Sequence, residues 1–584
     1  MQIDKFHSIV LPQNLYERKE GTSMKVSQLP YRRVTLEETR EVLENIISRI
    51  EKAQTVREVL DARQDYLKFD LELTTSQNLA YMRYSINTAD AFYVAENDYY
   101  DEAGPAIYAL QTRYASALLD SPFRPELEKA LNPLVFKTME VQRKAMAPEI
   151  VEDMAEENRL ISEYSKLMAA MEFEFRGEKM PRSMLAKYFK DPDRSIRKAA
   201  MEAMGRTLEE NAQALDDIFD RMVHVRDRMA KKMGCKNFVE LGYYRMGRLN
   251  YGEEEVKTFR ENVLRDIVPV VARLRTANAK RLGIDDFMFY DNEVIIPGGD
   301  PVPLGKAEIF SAAEHMYHAM GDETGAFIDK MLENEAFDVD SRKNKWGGGY
   351  CTEFPKYKQP FILANFNGTA GDVDVVTHEA GHALNAYLIA DNPYSQELGC
   401  GGMETAETHS MGMEFFTWPY MDKFFGQDAA KYRYMHALSA LSFIPYGTMV
   451  DAFQHIVYEN PDLSPAERKA EWRKLERAFR PHIGFEGIPY LEEGTRWQYQ
   501  MHIYESPFYY IDYCLAQTAA LGFLLASQAD YADAFRRYIR LSKTGGEKLW
   551  TDLLEEAGLP SPFTPGALQE LAGKVEALLE KIQV

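Results

Sequence analysis

The sequence predicts a mainly α-helical protein of more than one lobe, with a single small β-sheet. Three observations predict it. Apolar residues recur at helical spacing through most of the chain. Strand signals are few, and most of them gather in the stretch before residue 378. The length, 584 residues, exceeds what one ordinary core encloses, so two or three lobes are expected.

Thr35-Leu36-Glu37-Glu38 has the form of a capping box and opens a helix through about Lys52, with Val42, Leu43, Ile46, Ile47 and Ile50 at core spacing. Similar patterns mark helices over 55–70, 73–95, 104–120, 125–144, 148–170, 194–232 and 254–281. The Met and aromatic side chains along them read as core packing. Alternation at Glu172-Phe173-Glu174-Phe175, just before Gly177, predicts a short strand. Residues 293–297, 349–352 and 361–366 predict three more. In the last, Phe361, Leu363 and Asn365 alternate with Ile362, Ala364 and Phe366, so one face is largely apolar and the other mixed. Gly347-Gly348-Gly349 lacks the lysine and spacing of a phosphate loop and reads as a flexible segment free to close over a cleft. Ser506-Pro507 reads as an N-cap and first-turn pair, with His502 and Tyr504 in the loop before it and Tyr510 and Tyr513 on one helix face.

Composition sets the class. A chain 45% hydrophobic and 27% charged is a soluble globular protein. A net charge of −22 argues against nucleic acid or an anionic membrane as a partner. Four cysteines without CxxC spacing form no disulfide framework and suit a reducing compartment. The N-terminal residues from Met1 to His7 lack a signal-peptide pattern. The longest apolar run, Tyr513 to Ala526, contains Gln517 and fits a buried helix better than a membrane span. A cytoplasmic protein is expected. There is no fixed-period repeat and no low-complexity tract.

The chemistry is carried by His378-Glu379-Ala380-Gly381-His382. Histidines at i and i+4 share one helix face, with side chains about 5–6 Å apart, so both can bind one Zn²⁺. Glu379 then stands beside the open coordination position as a general base. Val373, Val375, Val376, Ala383, Leu384, Leu388 and Ile389 supply apolar faces, Gly371-Asp372 offers an N-cap, and Asp391-Asn392-Pro393 stops the helix. A helix so buried excludes two histidines and a glutamate unless something pairs them. A catalytic zinc needs a third protein ligand. Glu397, Glu404, Glu407, His409 and Glu414 are the candidates downstream. Spacing alone does not decide among them; a helix crossing the first presents Glu407 and Glu414 on one face, and Glu407 is the first choice. The strands before the motif offer an edge for an extended peptide, or simply a structural hairpin. A second cluster, His502, Tyr504, Phe508, Tyr509, Tyr510 and Tyr513, is either a set of oxyanion donors or an aromatic core.

Several of these segments together resemble a known family. Gly347-Gly348-Gly349-Tyr350-Cys351, the run from Pro360 to Thr369, and the run from Asp372 to His382 resemble the oligoendopeptidase F branch of the thimet oligopeptidase family. Ala406 to Phe415 resembles its third-ligand segment, and His502 to Tyr513 its substrate-binding loop and helix. The resemblance spans roughly 345–515 directly. It implies a two-lobed helical ellipsoid cut by a deep channel with one zinc ion at its floor, which excludes folded proteins. It implies His378, His382 and Glu407 as metal ligands, Glu379 as base, and His502, Tyr510 and Tyr513 as oxyanion and substrate donors, with Tyr509 and Tyr510 exchangeable. Ala380 and Asn385 stand where many relatives have an aromatic residue and a histidine; neither is a ligand position. Relatives in the branch cleave short peptides, some of them collagen-derived. The expected organisation is an N-terminal helical lobe over 1–200 and a zinc metallopeptidase region over 201–584.

The expected activity is therefore internal cleavage of oligopeptides. A zinc carboxypeptidase of similar fold is the alternative, and it would need a fixed cation for the substrate's carboxylate, for which Arg480 and Arg496 are candidates. A peptide-binding protein without catalysis would not need Glu379, and a purely structural zinc site would not leave an open position.

Overall fold

The computed structural model describes residues 24–584, so the segment from Met1 to His7 lies outside the described residues. Helix α1 (Leu36–Lys52) starts at Thr35, whose hydroxyl accepts the Glu38 amide at 3.1 Å. Glu38 itself turns to Arg32 at 2.8 Å, so only half of the capping box forms. Helix α2 (Val56–Ile86) runs unbroken across the join expected near residue 71, and the chain turns at 87–90 instead. Asp90 then caps α3 (Ala91–Leu119) by accepting from the Phe92 and Tyr93 amides. Pro105 lies inside that helix, because Tyr100, Ala103, Ile107 and Leu110 bury a continuous face on both sides of it. The 194–232 segment divides at Asn211 into Arg194–Glu210 and Ala212–Lys232. Within 254–281 a π turn spans Val263–Ile267, where Pro269 has no N–H for the regular ladder.

The strands β1 (Phe173–Phe175) and β2 (Glu178–Met180) form an antiparallel hairpin. Arg176 and Gly177 turn it, both at positive φ, and Phe173 and Phe175 point into the core. The sheet that matters for the site has the order β3-β5-β4, from Phe337–Asp338, Gln359–Leu363 and Tyr350–Phe354. Central β5 is parallel to β3 and antiparallel to β4, with Tyr350 opposite Leu363. It is buried on both faces, which overrides the one-sided pattern read from its sequence. Residues 293–297 are not a strand. Val294, Ile295 and Ile296 bury their side chains from a loop, and the third strand is the two-residue β3.

The segment Gly347–Gly349 is not free. Asn365 Nδ2 donates to the carbonyls of Trp346 and Gly348 at 2.9 Å, and the Trp346 amide donates to Ser85 at 2.9 Å. Side-chain capacity on β5's own continuation therefore ties the loop to the sheet.

Most of the chain shares one large apolar core, while the N-terminal helices hold two smaller ones, built from residues such as Leu43, Leu118 and Val135 and from Val34, Leu73 and Ile107. No helix among the described residues is long and apolar enough to cross a membrane.

Candidate active site

The helical run that carries the motif begins as a single turn at Gly371–Asp374, continues as a π turn over Val375–Glu379, and becomes α-helical at Ala380–Ile389. Asp372 does not act as its N-cap; its carboxylate accepts from the Asn367 and Gly368 amides at 2.9 and 2.8 Å and closes the loop ahead of the helix. The chain leaves the helix before Asp391-Asn392-Pro393. One widened turn at a functional site is a common placement for π geometry. The imidazoles of His378 and His382 lie with ring centroids 5.2 Å apart.

Glu407 arrives from the helix Met403–Phe416, which crosses the first at very short range. Gly381 makes that crossing possible. A Cβ there would stand 2.7 Å from Ser410 Cα and 2.8 Å from the His409 carbonyl oxygen, both backbone atoms with nowhere to go. Glu407 Oε2 consequently lies 3.6 Å from His378 Nε2 and 3.7 Å from His382 Nε2, and the three donor atoms all lie within 4.8 Å of one another.

Behind these donors is a hydrogen-bonded second layer. Glu414, one of the sequence-level ligand candidates, instead accepts from His378 Nδ1 at 2.5 Å and from His436 Nε2 at 2.6 Å. Trp418 Nε1 donates to His436 Nδ1 at 2.9 Å, which fixes His436 as the Nε2–H tautomer. With its Nδ1 proton given to Glu414, His378 presents Nε2 as a free lone pair. That is how a carboxylate orients a metal-binding imidazole and raises its basicity. Burial opposes ionisation of Glu414, but the hydrogen bonds from the two histidines hold its carboxyl down at about 2.

Glu407 is similarly braced, accepting from Tyr509 Oη at 2.9 Å on Oε1 and from Ser410 Oγ at 3.0 Å on Oε2. Glu379 packs against β4, where the Cys351 amide hydrogen-bonds its carboxylate; burial raises that carboxyl above the ordinary glutamate value. The remaining candidates lie elsewhere. Glu404 accepts from Tyr251 at 3.3 Å, Glu397 pairs with Arg63, and His409 contacts Ser542 Oγ at 3.1 Å.

The aromatic cluster stands on the other side of the donors. Ser506-Pro507 does not start a helix. Ser506 ends a short one, Met501–Glu505, that carries His502, Phe508 takes a positive φ, and the long helix begins at Tyr510 and runs to Ala529. Arg248 donates to the Phe508 carbonyl and Gln454 accepts its amide, so buried partners hold the turn that the sequence motif was expected to make. Gly447 lets this helix approach Ala429–Glu459: a Cβ there would meet Cys514 Sγ at 2.3 Å. His502 lies 5.0 Å from Tyr510 and 6.1 Å from Tyr513, centroid to centroid, and Tyr509 lies 4.7 Å from Tyr513. His502 Nδ1 faces Gln500 Nε2 at 3.0 Å; an amide N–H donates there, which leaves the His502 proton on Nε2. Burial keeps this imidazole neutral.

Residues 187–294 and 307–573 match Peptidase family M3, and residues 26–146 match the Peptidase M3 N-terminal domain. The chain belongs to peptidase family M3. Among solved structures, the M3 chain is 42% identical to a protein assigned as oligoendopeptidase F, covering 96% of this chain and 99% of that one with a TM-score of 0.90. It is 41% identical to PZ peptidase A, determined with an inhibitor, covering 96% and 100% with the same TM-score of 0.90. Oligopeptidase PepF of Bacillus subtilis (strain 168) is 22% identical over 411 residues; the match takes in 68% of this chain and 59% of that relative's length. These likenesses place the M3 chain in the oligoendopeptidase F branch.

Two members of this arrangement are not legible in the sequence. The sequence leaves Tyr509 and Tyr510 exchangeable, yet only Tyr509 reaches Glu407, while Tyr510 lines a neighbouring cavity. His436 carries no signal in the sequence. It lies 22 residues beyond Glu414, and only the bridging carboxylate shows that the two belong together. The arrangement predicts that Glu407→Ala releases the metal. Elemental analysis of dialysed protein should find most of the metal lost, and full occupancy would sink the assignment and direct attention to Glu404 or Glu414.

Proposed function

We propose that the chain is a zinc-dependent oligoendopeptidase that hydrolyses internal bonds of short peptides in the cytoplasm. The observation that supports this most is the convergence of His378, His382 and Glu407 beside Glu379. The donor set fits zinc. A tetrahedral ion about 2.1 Å from each donor places the donors about 3.4 Å apart, close to the 3.6 and 3.7 Å between Glu407 and the two imidazoles. Two nitrogens and one carboxylate oxygen leave a fourth position, which suits a catalytic rather than a structural ion.

Zinc held there would polarise the scissile carbonyl and lower the pKa of water. Glu379 takes the proton from the attacking water and carries it to the leaving amine. Its neighbour β4 contributes by position. The Cys351 amide is turned to Glu379, so the outer edge of the strand faces the metal centre and can pair with an extended substrate backbone. Tyr513 and His502 Nε2–H donate to the charge developing on the carbonyl oxygen, and Tyr510 orients the substrate from the cavity wall. Tyr509, already donating to Glu407, positions that ligand.

Two of the related proteins named above are by name an oligoendopeptidase and an oligopeptidase, which favours internal cleavage over a carboxypeptidase. Nothing in the described site selects collagen-derived peptides, so the substrate class is oligopeptides in general. The free cysteines support the cytoplasmic placement, and the separate N-terminal cores support a helical lobe beside a catalytic region, with Met146, Tyr164 and Ala200 packed in the large core, which favours a division nearer residue 140 than 200.

The test is an oligopeptide blocked at both ends, incubated with the purified protein and resolved by mass spectrometry. Internal fragments that vanish on chelation and return with zinc are expected. Removal of terminal residues only, from an unblocked peptide, would replace the endopeptidase with an exopeptidase.

A further inference from the structure

A cavity of about 760 Å³ adjoins the proposed active site, lined by His436, Asp374 and Tyr510 together with Arg480 and Arg496. The arginine end is chemically incomplete. Arg496 makes no hydrogen bond or ion pair among the described residues, and its Nε and Nη1 are buried without a partner. Its guanidinium lies 3.9 Å from the centroid of the Tyr446 ring and 5.3 Å from that of Phe289. Arg480 flanks the same two rings at 5.0 and 5.9 Å; Glu476 accepts from its Nη2 at 2.7 Å, but its Nε is also orphaned. Ser442 Oγ and His482 Nδ1, on the same cavity wall, are buried without partners as well.

Two guanidinium groups share one carboxylate here, a local excess of one positive charge. Burial, and after it the charge of Arg496, holds Arg480 below the usual arginine value. Glu293, Asp300 and Asp374 also line the cavity, but Asp300 pairs with Lys190 at 3.0 Å, Glu293 faces Arg275, and Asp374, which accepts from Tyr432 at 2.9 Å, has Glu414, His436 and His378 as its charged neighbours. A fold does not keep buried cations with unmade hydrogen bonds without reason, since each orphaned donor costs stability.

We propose that Arg480 and Arg496 form a carboxylate subsite that holds the C-terminus of the peptide substrate, so that the enzyme measures its substrates from that end. The proposal rests on the oligoendopeptidase reading. The occupant follows from chemistry and continuity. A linear peptide always brings one carboxylate on a flexible end, and a planar guanidinium pair matches it with two-pronged hydrogen bonds. The subsite is wired to the reaction centre. Tyr446, stacked under Arg496, donates to Gln500 Oε1 at 2.6 Å, and Gln500 in turn contacts His502. Tyr446 and Gln500 thus link the subsite to the donor at the scissile carbonyl, and Tyr510, which feels the charge of Arg496, packs 5.0 Å from His502.

The experiment compares one fluorogenic peptide with a free C-terminus against its C-terminal amide. Wild-type kcat/KM should favour the acid by at least about tenfold, the scale of one charge-assisted hydrogen bond, with the difference mainly in KM. Arg496→Met should bring the acid-to-amide ratio to about one, and Arg496→Lys should restore it in part. Binding of the same two peptides to a zinc-loaded Glu379→Gln protein, followed by calorimetry, should show the same preference without turnover. Equal treatment of acid and amide by the wild type overturns the subsite, whether or not the Met variant folds. So does an acid preference that survives in folded Arg496→Met. Cleavage of neither peptide would instead count against the oligoendopeptidase reading itself.

Discussion

Glutamine in place of Glu379 is expected to leave the metal bound and to reduce kcat by at least about 10²-fold, the low end of what a general base contributes. The substitution keeps the volume and the contact with the Cys351 amide but cannot accept a proton from water. His378, His382 and Glu407 are untouched, so metal content by elemental analysis should match the wild type. Glutamine at a buried position that normally holds a carboxylate should not unfold the protein either, because burial already disfavours the charge there. The informative measurement is therefore a paired one, zinc stoichiometry and single-turnover rate on the same sample. A full metal complement with near-normal turnover would mean that another group activates the water. Loss of metal would mean that Glu379 helps to hold it, contrary to the donor geometry.

How far such a site can be read from sequence depends on how local its parts are. His378 and His382 sit one helical turn apart, so their juxtaposition survives even the π turn that the sequence did not announce. Glu407 was one of five candidates by spacing, and the resemblance favoured it. Its physical reason lies in Gly381, whose missing side chain admits the crossing helix. The Glu414–His436 pair had no sequence signal, because a glutamate and a histidine on different helices look like ordinary surface residues until packing brings them together. The fold shows the same division. The mainly helical class and the Phe173/Phe175 alternation were visible in periodicity, which is a local property. Strand β3, two residues long, depends on pairing with β5, a separate segment of the chain. Pro507 was misleading for a related reason. A proline after a serine is a sound helix-start signal, but here Arg248 and Gln454 bind the backbone of Phe508 and move the start to Tyr510.

Removing one hydroxyl, by Tyr513→Phe, is expected to cost about 2.7–4 kcal/mol of transition-state stabilisation, the loss seen when a single oxyanion donor is deleted. The geometry singles out Tyr513 within its cluster. Tyr509 spends its proton on Glu407, and Tyr510 faces the cavity among Phe443 and Tyr446. Tyr513 shares a hydrogen bond with Tyr509 and feels the charges of Glu407 and Glu379, so its hydroxyl stands beside the proposed metal centre. Burial, and then the charge of Glu407, raises its pKa above the ordinary tyrosine value, so it remains protonated and able to donate. Phenylalanine preserves the ring contacts with Tyr509, Tyr510 and His502, which makes a packing defect a poor explanation for lost activity. A donor that acts on charge absent from the bound substrate lowers kcat and kcat/KM together. His502→Ala removes a second donor on the same oxygen and should lower kcat as well. Tyr510→Phe touches a residue that orients substrate, so its effect should fall mainly on KM. Unchanged kcat in Tyr513→Phe would assign the cluster to packing beside the cleft, and the charge on the carbonyl oxygen would then have to be met by His502 and the metal alone.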